Sequence, residues 1–181
     1  MLDNEENIIK KAASGNKDAF GLLYDKYLPQ IYRFIYIKVN DKKTAEDLTH
    51  QVFLNAWQNI VNYKHRGHPF SAWLYSIARN EIIDYYRGRK VYVPLDGLDP
   101  NSKQIDSNAI TQDVENKLAI EMVINKINFL KPDYQDVIIL RFVEEMSIKE
   151  TALTIKKTEG AVKLIEHRAL KQLRALLNEQ I

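Results

Sequence analysis

The chain contains no cysteine, which excludes disulfides, thiolate zinc sites and a cysteine nucleophile and is compatible with a reducing compartment. It also has almost no net charge. Its 26 Lys and Arg residues against 24 Asp and Glu leave a formal +2, so any preference for an anionic partner must come from where the charges sit. No uninterrupted apolar run reaches the length of a membrane span. The N-terminus, MLDNEENIIKK, is acidic where a secretory signal would be basic and then apolar. These absences predict a cytoplasmic protein with no membrane insertion. Of the four histidines, His50, His65, His68 and His167, only His65 and His68 are close, and no carboxylate lies between them to suggest a metal motif. There is no glycine-rich phosphate loop and no nucleophile elbow. No catalytic residue, metal or cofactor is therefore expected, and the chain is not expected to be an enzyme. An alternating strand pattern is missing as well.

What the 181 residues do contain is helical periodicity and a 45% hydrophobic fraction, enough to bury a core. From Ile8 to Val39 apolar residues recur at three- and four-residue spacings, and helices are expected there with interruptions near Gly15 and Pro29. Between Thr44 and Ile60, Ala45, Leu48, Val52, Phe53, Ala56, Trp57 and Ile60 form one stripe, leaving Asp47, Gln51 and Asn55 on polar faces. Another helix is expected from about Phe70 to Tyr86, burying Phe70, Trp73, Leu74, Ile77 and Ala78. Residues 91–112 then lose periodicity, carry Pro94, Gly97 and Pro100, and read as a flexible acidic linker. Helical spacing resumes at about Asp113 and predicts three or four further helices. The expected fold is all-α, with two small helical domains, 1–90 and 113–181, joined by that linker. Domains of this size are only marginally stabilised by one core, which favours docking on a larger partner.

The sharpest structural expectation lies in MSIKETALTIKKTEGAVKLIEHRALKQLRALL. Ser147 followed by Glu150 has the spacing of a capping box. Ala152 and Ile155 face inward, and Lys156 and Lys157 occupy a tight turn without glycine. Thr158 caps a second helix whose buried face is Val162, Ile165, Ala169, Leu173 and Leu176. This is helix-turn-helix organisation. Its cations suit the start of the second helix to a DNA major groove about 12 Å wide; the alternative is a helical hairpin with a solvated basic face. Leu164 points away from the apolar stripe, either to meet a thymine methyl or to pack on its own domain.

Three segments in order, AEDLTHQVFLNAW at 45–57, FSAWLYSIARNEIIDYYRGRK at 70–90 and EGAVKLIEHRALKQL at 159–173, resemble the extracytoplasmic-function (ECF) subfamily of bacterial RNA polymerase sigma factors. The resemblance runs from about Ala19 to Leu177. It implies a sigma factor that binds core RNA polymerase through the β′ clamp and β subunits, recognises promoter DNA and promotes its melting, and has an anti-sigma factor as a partner. The clamp-binding residues implied are Asp47, Leu48, Gln51, Phe53 and Asn55, although Phe53 and Trp57 also suit a purely structural role. The minus-ten element would be held by Tyr63, Lys64, His65 and Arg66 in the loop and by Asn80, Asp84, Arg87, Arg89 and Lys90 on the following helix. The minus-thirty-five element would be read by Lys157, Thr158, Glu159, Lys163, Leu164, His167, Arg168 and Lys171.

Duller roles exist for several of these. Tyr85 and Tyr86 project about 100° apart, so one is expected in the core, and Asp84 is spaced for an ordinary ion pair with Arg87 or Arg79. Melting costs about 1.4 kcal/mol per stacking step. Capture of the flipped base in a pocket and its stacking on an aromatic platform, at roughly 1–3 kcal/mol per base, offset that cost. A stand-alone helix-turn-helix regulator would explain residues 147–177 but leave the two earlier helices unused.

Overall fold

A computed structural model describes residues 2–63, 68–92 and 114–178. Among the described residues all regular structure is helical, and the chain divides into two compact units, Met1–Val91 and Tyr92–Ile181. Most of the expected linker, and with it Lys64, His65 and Arg66, lies outside the described residues; its first two residues belong to the preceding helix.

The first unit comprises α1 (Leu2–Ala13), α2 (Lys17–Val39), α3 (Lys42–Asn59), a 3₁₀ turn (Ile60–Asn62) and α4 (Phe70–Tyr92). Gly15, at φ 92°, ends α1 as expected. Asn16 then caps α2 by accepting from the Ala19 amide at 2.9 Å, satisfying one of the donors that a helix start leaves open. The expected break at Pro29 does not occur: α2 runs unbroken through it. Proline in a helix interior removes one ladder bond and costs about 3 kcal/mol. Here Pro29 and Asp25, the residue four before it, are both exposed, so the carbonyl left without a donor lies on the solvent side. The opposite side of the helix buries Leu23, Tyr27, Ile31, Phe34 and Ile35, and that burial holds the helix together across the defect. Asn40 ends α2 in the left-handed region, and Asp41 caps α3 through the Thr44 amide. The core closes where α3 contributes Ala45, Val52 and Ala56 and α4 contributes Leu74, Tyr75 and Ala78, with the Phe34 and Tyr75 rings meeting edge to face at 5.4 Å.

The second unit holds α5 (Val114–Asn128), α6 (Pro132–Ile138), a π-helical turn (Ile139–Val143), α7 (Ile148–Ile155) and α8 (Glu159–Asn178). The capping box forms, with the Ser147 Oγ accepting from Glu150 N at 3.2 Å and the Glu150 carboxylate accepting from Ser147 N at 2.8 Å. Ala152 and Ile155 are buried, and α8 lays Val162, Ala169 and Leu173 against the unit's interior. The glycine-free turn is resolved by Lys156 itself taking the left-handed conformation, φ 56° and ψ 48°. A side chain there strains the backbone where glycine would not. Lys156→Gly is therefore expected to stabilise the unit by about 0.5–1 kcal/mol, after the greater freedom of glycine in the unfolded chain is subtracted. An unchanged urea midpoint would remove the strain argument.

Candidate nucleic-acid interface

Two surfaces of the first unit bear the polar residues singled out from the sequence. On α3, Asp47 and Gln51 are exposed one helical turn apart, and Leu54, 49% exposed, continues the same side at i+7. Leu54 escaped the sequence reading although its spacing from Asp47 was the available signal. Leu48 is half-buried at the border of this face. Phe53 is buried, its ring edge-on to Tyr24 at 4.7 Å, so it supports the helix from behind. Trp57 packs edge-on against Phe20 at 4.9 Å. Asn55, half-buried at the edge of this face, accepts from Gln51 Nε2 at 3.4 Å and reaches toward α4, where its amide donates to the Glu81 carboxylate.

Asn55 also lines an open groove of about 510 Å³ between α3 and α4. Asn55, Asn59 and Asn62 form one wall, and Trp73, Asn80, Glu81 and Asp84 stand across from them. Amides that both donate and accept, beside an aromatic face, suit the edge and the π-face of a nucleobase. The Trp73 ring is braced by Tyr63 at 5.1 Å and Phe70 at 5.3 Å. Tyr63 in turn donates its hydroxyl to the His68 carbonyl at 2.6 Å. Burial, followed by the nearby Glu5 and Glu6 carboxylates, pushes the Tyr63 hydroxyl up to about 12, so it keeps its donor proton throughout the neutral range.

Further along α4, Asp84 and Arg87 pair at 3.2 Å, the ordinary ion pair the spacing predicts. Both are well exposed, so the pair contributes little to stability, and the guanidinium stays accessible to a phosphate. The tyrosine pair departs from expectation: neither ring is in the core. Tyr86 is 41% exposed and donates to the Lys38 carbonyl at 3.0 Å. Tyr85 is half-buried with its hydroxyl 3.5 Å from that of Thr44. Both tie the end of α4 to its neighbours through their hydroxyls, a role their adjacency in sequence does not reveal. Arg89 and Lys90 continue the helix backbone; their side chains are outside the described residues.

In the second unit, Thr158 accepts from the Ala161 amide at 3.2 Å and so starts α8. Lys163, Leu164, His167, Arg168 and Lys171 are all exposed, as are Lys157, Thr158 and Glu159 at its beginning. Lys157 is held by Asp133 at 3.2 Å. Glu166 is drawn to the other side, accepting from Arg141 Nε at 2.8 Å, with both side chains 22% exposed. The acid is thereby removed from the cationic face. Among the described residues no group of three or more His, Asp or Glu converges as a metal site, and no helix is long and apolar enough to cross a membrane.

A helix-turn-helix with a cationic outer face, carried with a helical unit that has an amide-lined, aromatic-walled groove, defines a DNA-binding factor. Residues 23–91 match Sigma-70 region 2 and residues 127–175 match Sigma-70, region 4. The ECF RNA polymerase sigma factors SigW and SigX of Bacillus subtilis (strain 168) are each 31% identical to the chain; the SigW match covers 94% of this chain and 95% of SigW, the SigX match 91% and 88%. The ECF RNA polymerase sigma factor BldN of Streptomyces coelicolor is 34% identical over 94% of this chain, which spans 64% of BldN. Among solved structures, CnrH in complex with the cytosolic domain of CnrY is similar, with a TM-score of 0.72, 25% identity and coverage of 98% of this chain and 99% of that one. So is the sigma factor RpoE in complex with the anti-sigma factor NepR from Bartonella quintana, with a TM-score of 0.71, 27% identity and coverage of 90% and 98%. The chain belongs to the ECF RNA polymerase sigma factors, transcription initiation factors with no catalysis of their own.

Proposed function

We propose that residues 1–90 bind core polymerase and the minus-ten element, and that residues 113–181 bind the minus-thirty-five element as duplex. The observation that carries this division is the concentration of exposed Lys163, Arg168 and Lys171 on one side of α8, while the groove beside Trp73 is neutral to acidic and amide-lined. A cationic helix suits the phosphates and base edges of duplex. An aromatic wall with amides suits an unstacked base.

Asp47, Gln51 and Leu54 form the polymerase-facing side of α3, bordered by Leu48. Asn80 and Asp84, with Arg87 beyond them, hold the separated strand. The chain acts in the cytoplasm, where its polymerase and promoter are. The complexes of CnrH with CnrY and of RpoE with NepR support a further partner here, an anti-sigma factor that holds the chain inactive.

Run-off transcription with purified core polymerase on a promoter library tests the function directly. Correctly folded protein that starts no transcript at any promoter would sink it. Two variants test the division of labour in the same assay. Lys163→Ala with Arg168→Ala is expected to weaken promoter binding by about 10-fold or more with polymerase association unchanged, whereas Asp47→Ala with Gln51→Ala lowers polymerase affinity first. A variant pair that loses both activities together would contradict the map.

A further inference from the structure

Leu164 is out of place on α8. Every other large apolar side chain of the described helix is buried or half-buried, yet Leu164 is 49% exposed. At 100° per residue it points roughly 160° away from the mean direction of Val162, Ala169 and Leu173, the three side chains that seat the helix. Its neighbours on that outer side are Lys163, His167 and Arg168, all exposed. Gly160, one turn earlier, presents no side chain, and a Cβ there would meet nothing within 4 Å. The helix therefore offers the exposed Glu159 and a glycine on its first turn, then a leucine flanked by Lys163 and Arg168. Glu166, the acid nearest in sequence, is tied back to Arg141.

Single exposed leucines are common on protein surfaces. This one, however, sits at the middle of the face whose charge complements duplex DNA. A leucine makes no hydrogen bond, so on a base edge it can gain only from apolar contact. In the major groove the base edges offer one apolar group, the C5-methyl of thymine. We propose that Leu164 reads a thymine methyl in the minus-thirty-five element, with the surrounding cations fixing register through the phosphates. The inference rests on the assignment of α8 to promoter duplex and adds the residue and base chemistry that would set the preferred sequence.

The experiment uses the chain assembled with core polymerase. A minus-thirty-five element is first selected from duplex randomised across that region. Each thymine of the selected element is then replaced, one at a time, by deoxyuridine opposite the same adenine, which removes the methyl and leaves pairing and the O4 acceptor intact. One replacement is expected to lower promoter affinity about 4-fold, the value of one buried methyl-sized group. Leu164→Ala should lower affinity for the unmodified element by at least that factor and be indifferent to the replacement. Binding to unrelated duplex should not change, since it is electrostatic, and the thermal transition should stay in place because the side chain is exposed. The inference is overturned if the selected element has no thymine, if no replacement matters, or if the replacement costs the same with and without Leu164. Any of these leaves promoter reading by α8 standing. Failure to enrich any element, by contrast, overturns that reading and the inference with it.

Discussion

Arg141→Met is expected to destabilise the second unit by about 2–3 kcal/mol. The guanidinium links two segments that are distant in sequence. Its Nε donates to Glu166 on α8 at 2.8 Å, and its Nη1 donates to the Met146 carbonyl just before the Ser147 cap. Removing it strands a carboxylate that is only 22% exposed and leaves a carbonyl without its donor. Breaking a fully buried pair costs about 3–5 kcal/mol; partial solvation of this one brings the figure down. The same residue lies in the π-helical turn, whose end is marked by Glu144 N bonding Ile139 O at 3.0 Å and by Glu145 at φ 54°. Glu166→Leu placed on top of Arg141→Met should restore most of the loss, because two apolar side chains then fill the space with no stranded charge. Urea denaturation of the three variants provides the check. If the single change shifts stability by less than about 0.5 kcal/mol, as ordinary surface substitutions do, the pair is not what seats α8. Promoter affinity should follow stability across the series, since Arg141 positions α8 and is not among the proposed DNA contacts.

That pair also marks the limit of what was legible in the sequence. Features set by neighbours along the chain were readable: the Ser147–Glu150 box, the Thr158 cap, the break at Gly15 and the apolar stripe of α8 all depend on residues within about one helical turn of each other. The Asp84–Arg87 pair follows from the same local rule. Features set by which side of a helix meets solvent were not. Pro29 reads as a break because the rule assumes a costly defect, and only the buried face of α2 shows why the helix survives it. Asn55 shares helical spacing with Asp47 and Gln51 and accepts from Gln51, but its amide is taken up by Glu81 on α4, twenty-six positions away. The spacing of Tyr85 and Tyr86 puts one of them in the core, but their hydroxyls instead find Thr44 and Lys38, 41 and 48 residues earlier. Glu166 lies twenty-five positions from Arg141. No periodicity announces such partners, and the π-helical turn that presents Arg141 has no local signature.

Asn80→Ala combined with Asp84→Ala is expected to reduce open-complex formation by about 10- to 100-fold while leaving binding to the minus-thirty-five duplex intact. Both side chains are exposed and line the groove beside Trp73, so their loss should leave the fold in place, apart from an Arg87 pair that contributes little. Melting is a near-balance in which each separated step costs about 1.4 kcal/mol. Losing one or two hydrogen bonds to an extruded base, each about 1–1.5 kcal/mol, therefore shifts the balance by one to two orders of magnitude. Trp73→Ala should be at least as severe, because it removes the aromatic wall and also unbraces Tyr63 and Phe70. Its effect mixes stacking with structure, so the asparagine and aspartate pair is the cleaner probe. Promoters carrying a pre-opened, mismatched minus-ten bubble separate the remaining possibilities. If the groove acts by holding the separated strand, the variant still binds the bubble more weakly than wild type, because the base contacts are gone there too. If wild type and variant bind the bubble equally well, the groove plays no part in holding single-stranded DNA, and its amides serve only to join α3 to α4.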